Sequence, residues 1–215
     1  MKRKLLLILV LGVTYSALAQ TAKPDVQNLN EWQVVNRKVE LNEDAGRKGV
    51  RLNEMIGDGL LILKGSKFSN GSIEFDVKGK NVLQQSFVGF AFHIKDEQTY
   101  DAIYFRPFNF MNADTARRRR AVQYIFHPDY TWEKLRTTHP GKYENKVNPV
   151  PDPDGWFHVK IVVDGNKVKA YVNNSAKPSL EVEKISKSDI GQFGFWVGNN
   201  SAGSFANLVI VPLKE

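Results

Sequence analysis

The sequence predicts an all-β protein, a two-sheet antiparallel jelly-roll sandwich. Three observations carry that prediction. Apolar residues recur at every second position in short runs, and about ten such runs follow one another along the chain. Clusters of Gly, Asn, Asp and Lys separate the runs and supply turn residues. Helical periodicity is almost absent. Strands with one apolar face each bury those faces by packing as two sheets.

The chain opens with MKRKLLLILVLGVTYSALAQ: three cations, an apolar run from Leu5 to Val13, then Ala17-Leu18-Ala19. This is the pattern of a signal peptide spanning 1–19, and its apolar run is shorter than the roughly 20 residues a membrane span needs. No cysteine follows to carry a lipid anchor, so the expectation is a secreted or periplasmic protein with no membrane span. Loss of Lys2, Arg3 and Lys4 takes the formal charge from +7 to +4. Arg117, Arg118, Arg119 and Arg120 equal that remainder, which leaves one basic spot rather than a nucleic-acid surface. Without disulfides the fold must rest on its core, and about 195 residues suffice for one domain. Residues 20–31 read as a polar leader and 32–215 as one β-sandwich domain.

Within that domain VVNRKVEL, GVRLN and GLLILKG give three weaker strands. GSIEFDVKG points Ile73, Phe75 and Val77 one way and Glu74 and Asp76 the other. FVGFAFHIK sets Val88, Phe90, Phe92 and Ile94 against Gly89, Ala91 and His93. Two further runs, Asp101–Pro107 and Ala121–Phe126, flank the arginine cluster. WFHVKIVVDGNKVKAYVNN is a hairpin turning at Asp164-Gly165-Asn166, since Asp-Gly between alternating runs is a strong hairpin signal. SLEVEK, GQFGFWVGNN and SFANLVIVPLK close the chain, and Pro212 ends the last ladder. Outward positions hold small or polar residues, among them Gly89, Ala91, His93 and Gly194, which leaves room for a ligand to lie on that face.

The runs G-x-I-E-F-D-V at 71–77, DGWFHVKIVVDGNKVKAYVNN at 154–174, and GQFGFWVG with FANLVI at 191–210 resemble the concanavalin A-like lectin/glucanase superfamily. Within it they are most similar to laminin-G-like domains and to the 3-keto-disaccharide hydrolase domain family. The resemblance implies a concave sheet that commonly receives sugars. It implies no particular activity, because the fold also carries lectins and adhesion modules.

Glu74 and Asp76 stand two apart, which sets their carboxylates about 6–7 Å apart, within reach of glycosidase acid/base work. Glucanases of the resembled superfamily carry E-x-D-x-x-E, and Gly79 occupies the third position here. The pair reads either as catalytic or as two solvated carboxylates. His127 is the third candidate for catalysis, because imidazole titrates near neutral pH. Candidate binding residues are His93, Tyr104, Arg106, Gln123, Tyr130, Trp132 and Trp196: an arginine that forks onto oxygen pairs, and rings that stack on sugar faces. Each also has a structural reading: Arg106 pairing with Asp101, Trp132 pinning a loop, Trp196 packing under one. The arginine run reads as attraction for an anionic glycan or as a solvated loop entering a strand with alternate faces. Histidine spacing gives no metal site and no cofactor is expected, although PDPDG at 151–155 offers oxygens for a structural Ca²⁺. The expected partner is a glycan or small saccharide. The alternative is a non-catalytic adhesion module that presents its loops to a protein or the cell wall.

Overall fold

The computed structural model describes residues 21–213, so the expected signal peptide lies outside the described residues. Two seven-stranded antiparallel sheets pack face to face. The front sheet holds, in spatial order, β1 (Trp32–Val35), β4 (Gly59–Leu63), β13 (Gln192–Val197), β6 (Val88–Ile94), β7 (Tyr100–Phe105), β8 (Val122–His127) and β9 (Glu144–Asn145). The back sheet holds β12 (Leu180–Glu183), β11 (Lys167–Val172), β10 (Trp156–Asp164), β5 (Gly71–Lys78), β14 (Gly203–Pro212), β3 (Arg47–Leu52) and β2 (Val39–Asp44). Two short helices, α1 (Thr115–Arg118) and α2 (Trp132–Thr138), stand beside the front sheet's far strands. No helix among the described residues is long and apolar enough to cross a membrane. The leader is docked: Ala22 bridges Ile210, and Val26 is buried.

The alternation in the sequence places the core. Ile73, Phe75 and Val77 of β5 are buried in the core, where Phe75 meets Phe90 and Phe195 of the front sheet, with the Phe75 and Phe90 rings 5.2 Å apart. Phe205 stacks on Phe195 at 4.6 Å. Each such ring is buried, which contributes about 2–3 kcal/mol before entropy is set against it. The β10–β11 hairpin turns where expected, with Asp164 opposite Lys167 and Gly165 at a φ of +55° that favours glycine.

The same parity leaves the outer face of the front sheet. Leu60, Trp196, Gly89, Tyr104, Gln123 and Glu144 lie in one register row across six strands. A second row carries Gly194, Ala91, Ala102 and Ile125, and Tyr100 pairs with His127.

Two expectations about local structure change. A bulge in β6 opposite β13 gives His93 a φ of +51° and breaks the alternation there. The arginine run is not a strand entry: Asp114 caps α1 through the Ala116 amide, and the turn that follows α1, closed by the Arg120 amide on the Arg117 carbonyl, leaves Arg117 and Arg120 lining the same cavity.

Candidate functional site

Across the outer face of the front sheet lie two adjoining cavities, of about 600 Å³ and about 250 Å³. Both touch Phe87, Trp132, Glu133 and Asn199. Sizes of this order suit small organic ligands.

The floor of the smaller cavity is Trp196 and Tyr104, whose rings meet 4.8 Å apart. Gly89 lies between them in the register, and a Cβ there would collide with the Ile103 carbonyl and the Tyr104 backbone. The reason for glycine is therefore close approach within the sheet, not an open floor for ligand as the sequence suggested. Trp196 donates from Nε1 to the Tyr100 hydroxyl at 3.1 Å, and that hydroxyl donates to Asp58 at 3.3 Å.

His127 stacks on Tyr100 with ring centroids 5.1 Å apart, and its Nε2 stands 3.8 Å from Asp58. Burial lowers the His127 pKa while the Asp58 charge raises it, and the net shift is downward. Burial pushes the Asp58 carboxyl up, against His127 and the Tyr100 bond. Burial thus favours the neutral form of each group while the charge of each favours the charged form of the other, an arrangement typical of sites that handle protons. Arg37 braces the loop around Asp58 by donating to the Asn36, Gly57 and Gly198 carbonyls.

Arg106 lines the larger cavity. It is 4% exposed, donates to the Tyr104 hydroxyl, to Gln123 Oε1 at 2.7 Å and to the Arg120 carbonyl at 2.8 Å, and lies 4.7 Å from the Tyr104 ring centre. Burial lowers its pKa and raises that of Tyr104 to about 12. Asp101, the alternative partner, points into the core, where it accepts from Tyr124 and Ser186. At the rim, Glu144 accepts both arms of Arg136 at 3.2 and 2.7 Å and faces Arg120 at 3.6 Å. Arg136 in turn lies over the Trp132 ring at 4.6 Å.

The sequence candidates thus divide. Tyr104, Arg106, His127, Trp132 and Trp196 converge on the cavities. Gln123 lies beneath, as the acceptor for Arg106 and Tyr104. Tyr130 packs on Phe126 and under Lys134 and lines neither cavity. His93 donates to the Ser69 carbonyl and faces Asp101 at 3.6 Å, on the side opposite Tyr104, because the bulge turned it inward.

Glu74 and Asp76 lie on the far side of the sandwich, since Phe75 between them points into the core. They are taken up there: Lys160 holds Glu74 at 2.8 Å, while Arg47, His158 and the Asn207 amide hold Asp76. Burial raises the Asp76 pKa, but those bonds outweigh it and hold the group at about 2. Sequence reasoning missed Asp58, Asn109, Glu133, Glu144 and Asn199, single polar residues in loops or short elements with no local pattern. Asp152 and Asp154 are taken up in a turn and by the Asn81 amide. Among the described residues no group of three or more His, Asp or Glu is placed to hold a metal ion.

Residues 24–206 match the 3-keto-alpha-glucoside-1,2-lyase-like domain family. The chain belongs to that family. None of the curated proteins matches it in sequence. Among solved structures it is similar to the carbohydrate-binding module CBM66 from Bacillus subtilis, at TM-score 0.61 and 16% identity over 85% of this chain and 97% of that one. It is also similar to a native glycosidic hydrolase, at TM-score 0.57 and 13% identity over 91% and 97%. The exoplasmic/lumenal domain of VIP36 in its Ca²⁺/Man3GlcNAc-bound form gives TM-score 0.55 and 9% identity over 87% and 85%. At these identities the likeness establishes the fold alone, a two-sheet jelly roll.

Proposed function

We propose that the chain binds a saccharide across the outer face of the front sheet and cleaves a 3-keto-glycoside there by elimination between C1 and C2. The observation that carries this is the meeting of an aromatic floor, Trp196 and Tyr104, with the His127–Asp58 pair in one cavity. The family description supports the reaction class.

In such an elimination the C3 ketone acidifies the C2–H bond. A base removes that proton, the electron pair forms C1=C2, and the C1–O bond breaks onto the departing oxygen, which takes up the proton that the base had removed. His127, kept neutral by burial, is the base, and Asp58 stabilises the imidazolium as it forms. Tyr104 and Trp196 carry the ring, while Arg106 and Gln123 hold Tyr104 in place. The amino-terminal pattern supports action outside the cytoplasm.

The test offers the purified protein a 3-keto-glucoside and the matching unoxidised glycoside. Consumption of the first alone is expected, with His127→Ala slowing it about 10²–10⁴-fold. No turnover of either substrate, with saccharide binding retained, would overturn the enzymatic reading and leave a binding module.

A further inference from the structure

The larger cavity carries more positive charge than a neutral sugar requires. Four guanidinium groups line it, from Arg106, Arg117, Arg120 and Arg136, against two carboxylates, Asp114 and Glu133. Asp114 is committed to capping α1 and faces Arg117 at 3.8 Å. A single carboxylate behind the wall, Glu144, is shared by Arg120 and Arg136. Arg106 has only neutral acceptors: a phenol, an amide and a carbonyl. A guanidinium removed from water without an anion is costly, and function is the usual reason to retain it.

A second, independent observation lies beside it. Asn109 is 3% exposed and lines the same cavity, and its Oδ1 is a buried acceptor with no hydrogen-bond partner. Its Nδ2 donates to the Arg120 carbonyl, the same oxygen that takes Arg106 Nη1, so the orphan acceptor and the uncompensated cation are neighbours. An acceptor in want of a donor, next to a cation in want of an anion, complements a sugar ring that bears both hydroxyl and acid groups.

We infer that the larger cavity selects saccharides that carry an anionic substituent, a carboxylate or a sulfate ester, held by Arg106 and Arg120 with a neighbouring hydroxyl donated to Asn109 Oδ1. This rests on the reading of the face as a saccharide site and adds its substrate class. The two anions share the same chemistry at the arginines, and the assay separates their sources.

The experiment is equilibrium binding of three unoxidised probes at low and high salt: a neutral disaccharide, its glucuronic-acid counterpart, and its sulfated counterpart. An acidic probe is expected to bind at least about tenfold more tightly than the neutral one, with the advantage shrinking as salt rises. Whichever acid is preferred names the source. Arg106→Met should abolish the preference. Because Arg106 is buried just beyond the end of β7, Arg120→Gln at the rim is the second variant, expected to reduce the preference while thermal unfolding stays unchanged. Equal affinity for all three probes overturns the inference and leaves the saccharide reading standing. Binding of none overturns the inference as well, and the 3-keto-glucoside assay then decides the saccharide reading. A preference that survives both variants also overturns it.

Discussion

Tyr104 and Trp196 come together over Gly89, their rings 4.8 Å apart on strands that are not hydrogen-bonded to each other. The intervening strand contributes no side chain at that point, so the two rings close over its backbone and make one surface. Everything proposed for the front sheet stands on that surface, and it is open to direct test.

Gly89→Ala inserts a methyl group against the Ile103 carbonyl and the Tyr104 Cβ. The neighbouring strands must separate or the rings must part. The expected cost is about 1–3 kcal/mol, read as a lower denaturant midpoint at unchanged slope. Tryptophan fluorescence should shift as well, because Trp196 loses its packing against Tyr104.

Asp58→Asn tests the proton-handling pair. The Asp58 charge raises the His127 pKa against the effect of burial, so its removal lowers that pKa further. Loss of activity on the acid side follows protonation of the base, so that limb of the kcat/KM profile should move to lower pH. A limb that moves up, or stays, contradicts the assignment of His127.

Asp76→Asn separates stability from function. The Asp76 pKa is held at about 2, below its unfolded value, so its stabilisation is present above about pH 4 and is lost as pH falls from about 4 to about 2. In the variant that pH dependence should flatten, with about 1–2 kcal/mol lost at neutral pH after allowance for solvent screening. Turnover and saccharide binding should not change, because the residue lies on the back sheet.

Trp132→Ala removes a side chain that borders both cavities yet is 40% exposed. Saccharide affinity should fall about tenfold or more, with less than about 1 kcal/mol lost in stability. A large stability loss with unchanged affinity would show that Trp132 only pins α2.

His93 and Glu74 mark where the reading of the sequence stopped being reliable. Strict alternation put His93 outward with Gly89 and Ala91, but one extra residue in β6 reversed it, and a bulge leaves no signal in the alternation itself. Glu74 and Asp76 were correctly placed facing away from the core. Their parity is silent about which of two sheets they belong to, and they belong to the back one. Arg106 was legible as a candidate binding arginine, whereas its isolation from any carboxylate, Asp101 included, was not.

What the sequence determined by itself is the period-2 pattern, the two-sheet sandwich that pattern requires, and the candidates at the ends of β7 and β8. These follow from local chemistry, because alternation decides which side chains must leave water together. Tertiary structure alone decided that Trp196, Gly89, Tyr104, Gln123 and Glu144 share a row, and that Asp58 reaches Tyr100 and His127. Those residues come from strands and loops far apart in the chain. Only the strand order of the folded sheet, which no local pattern encodes, brings them onto one face.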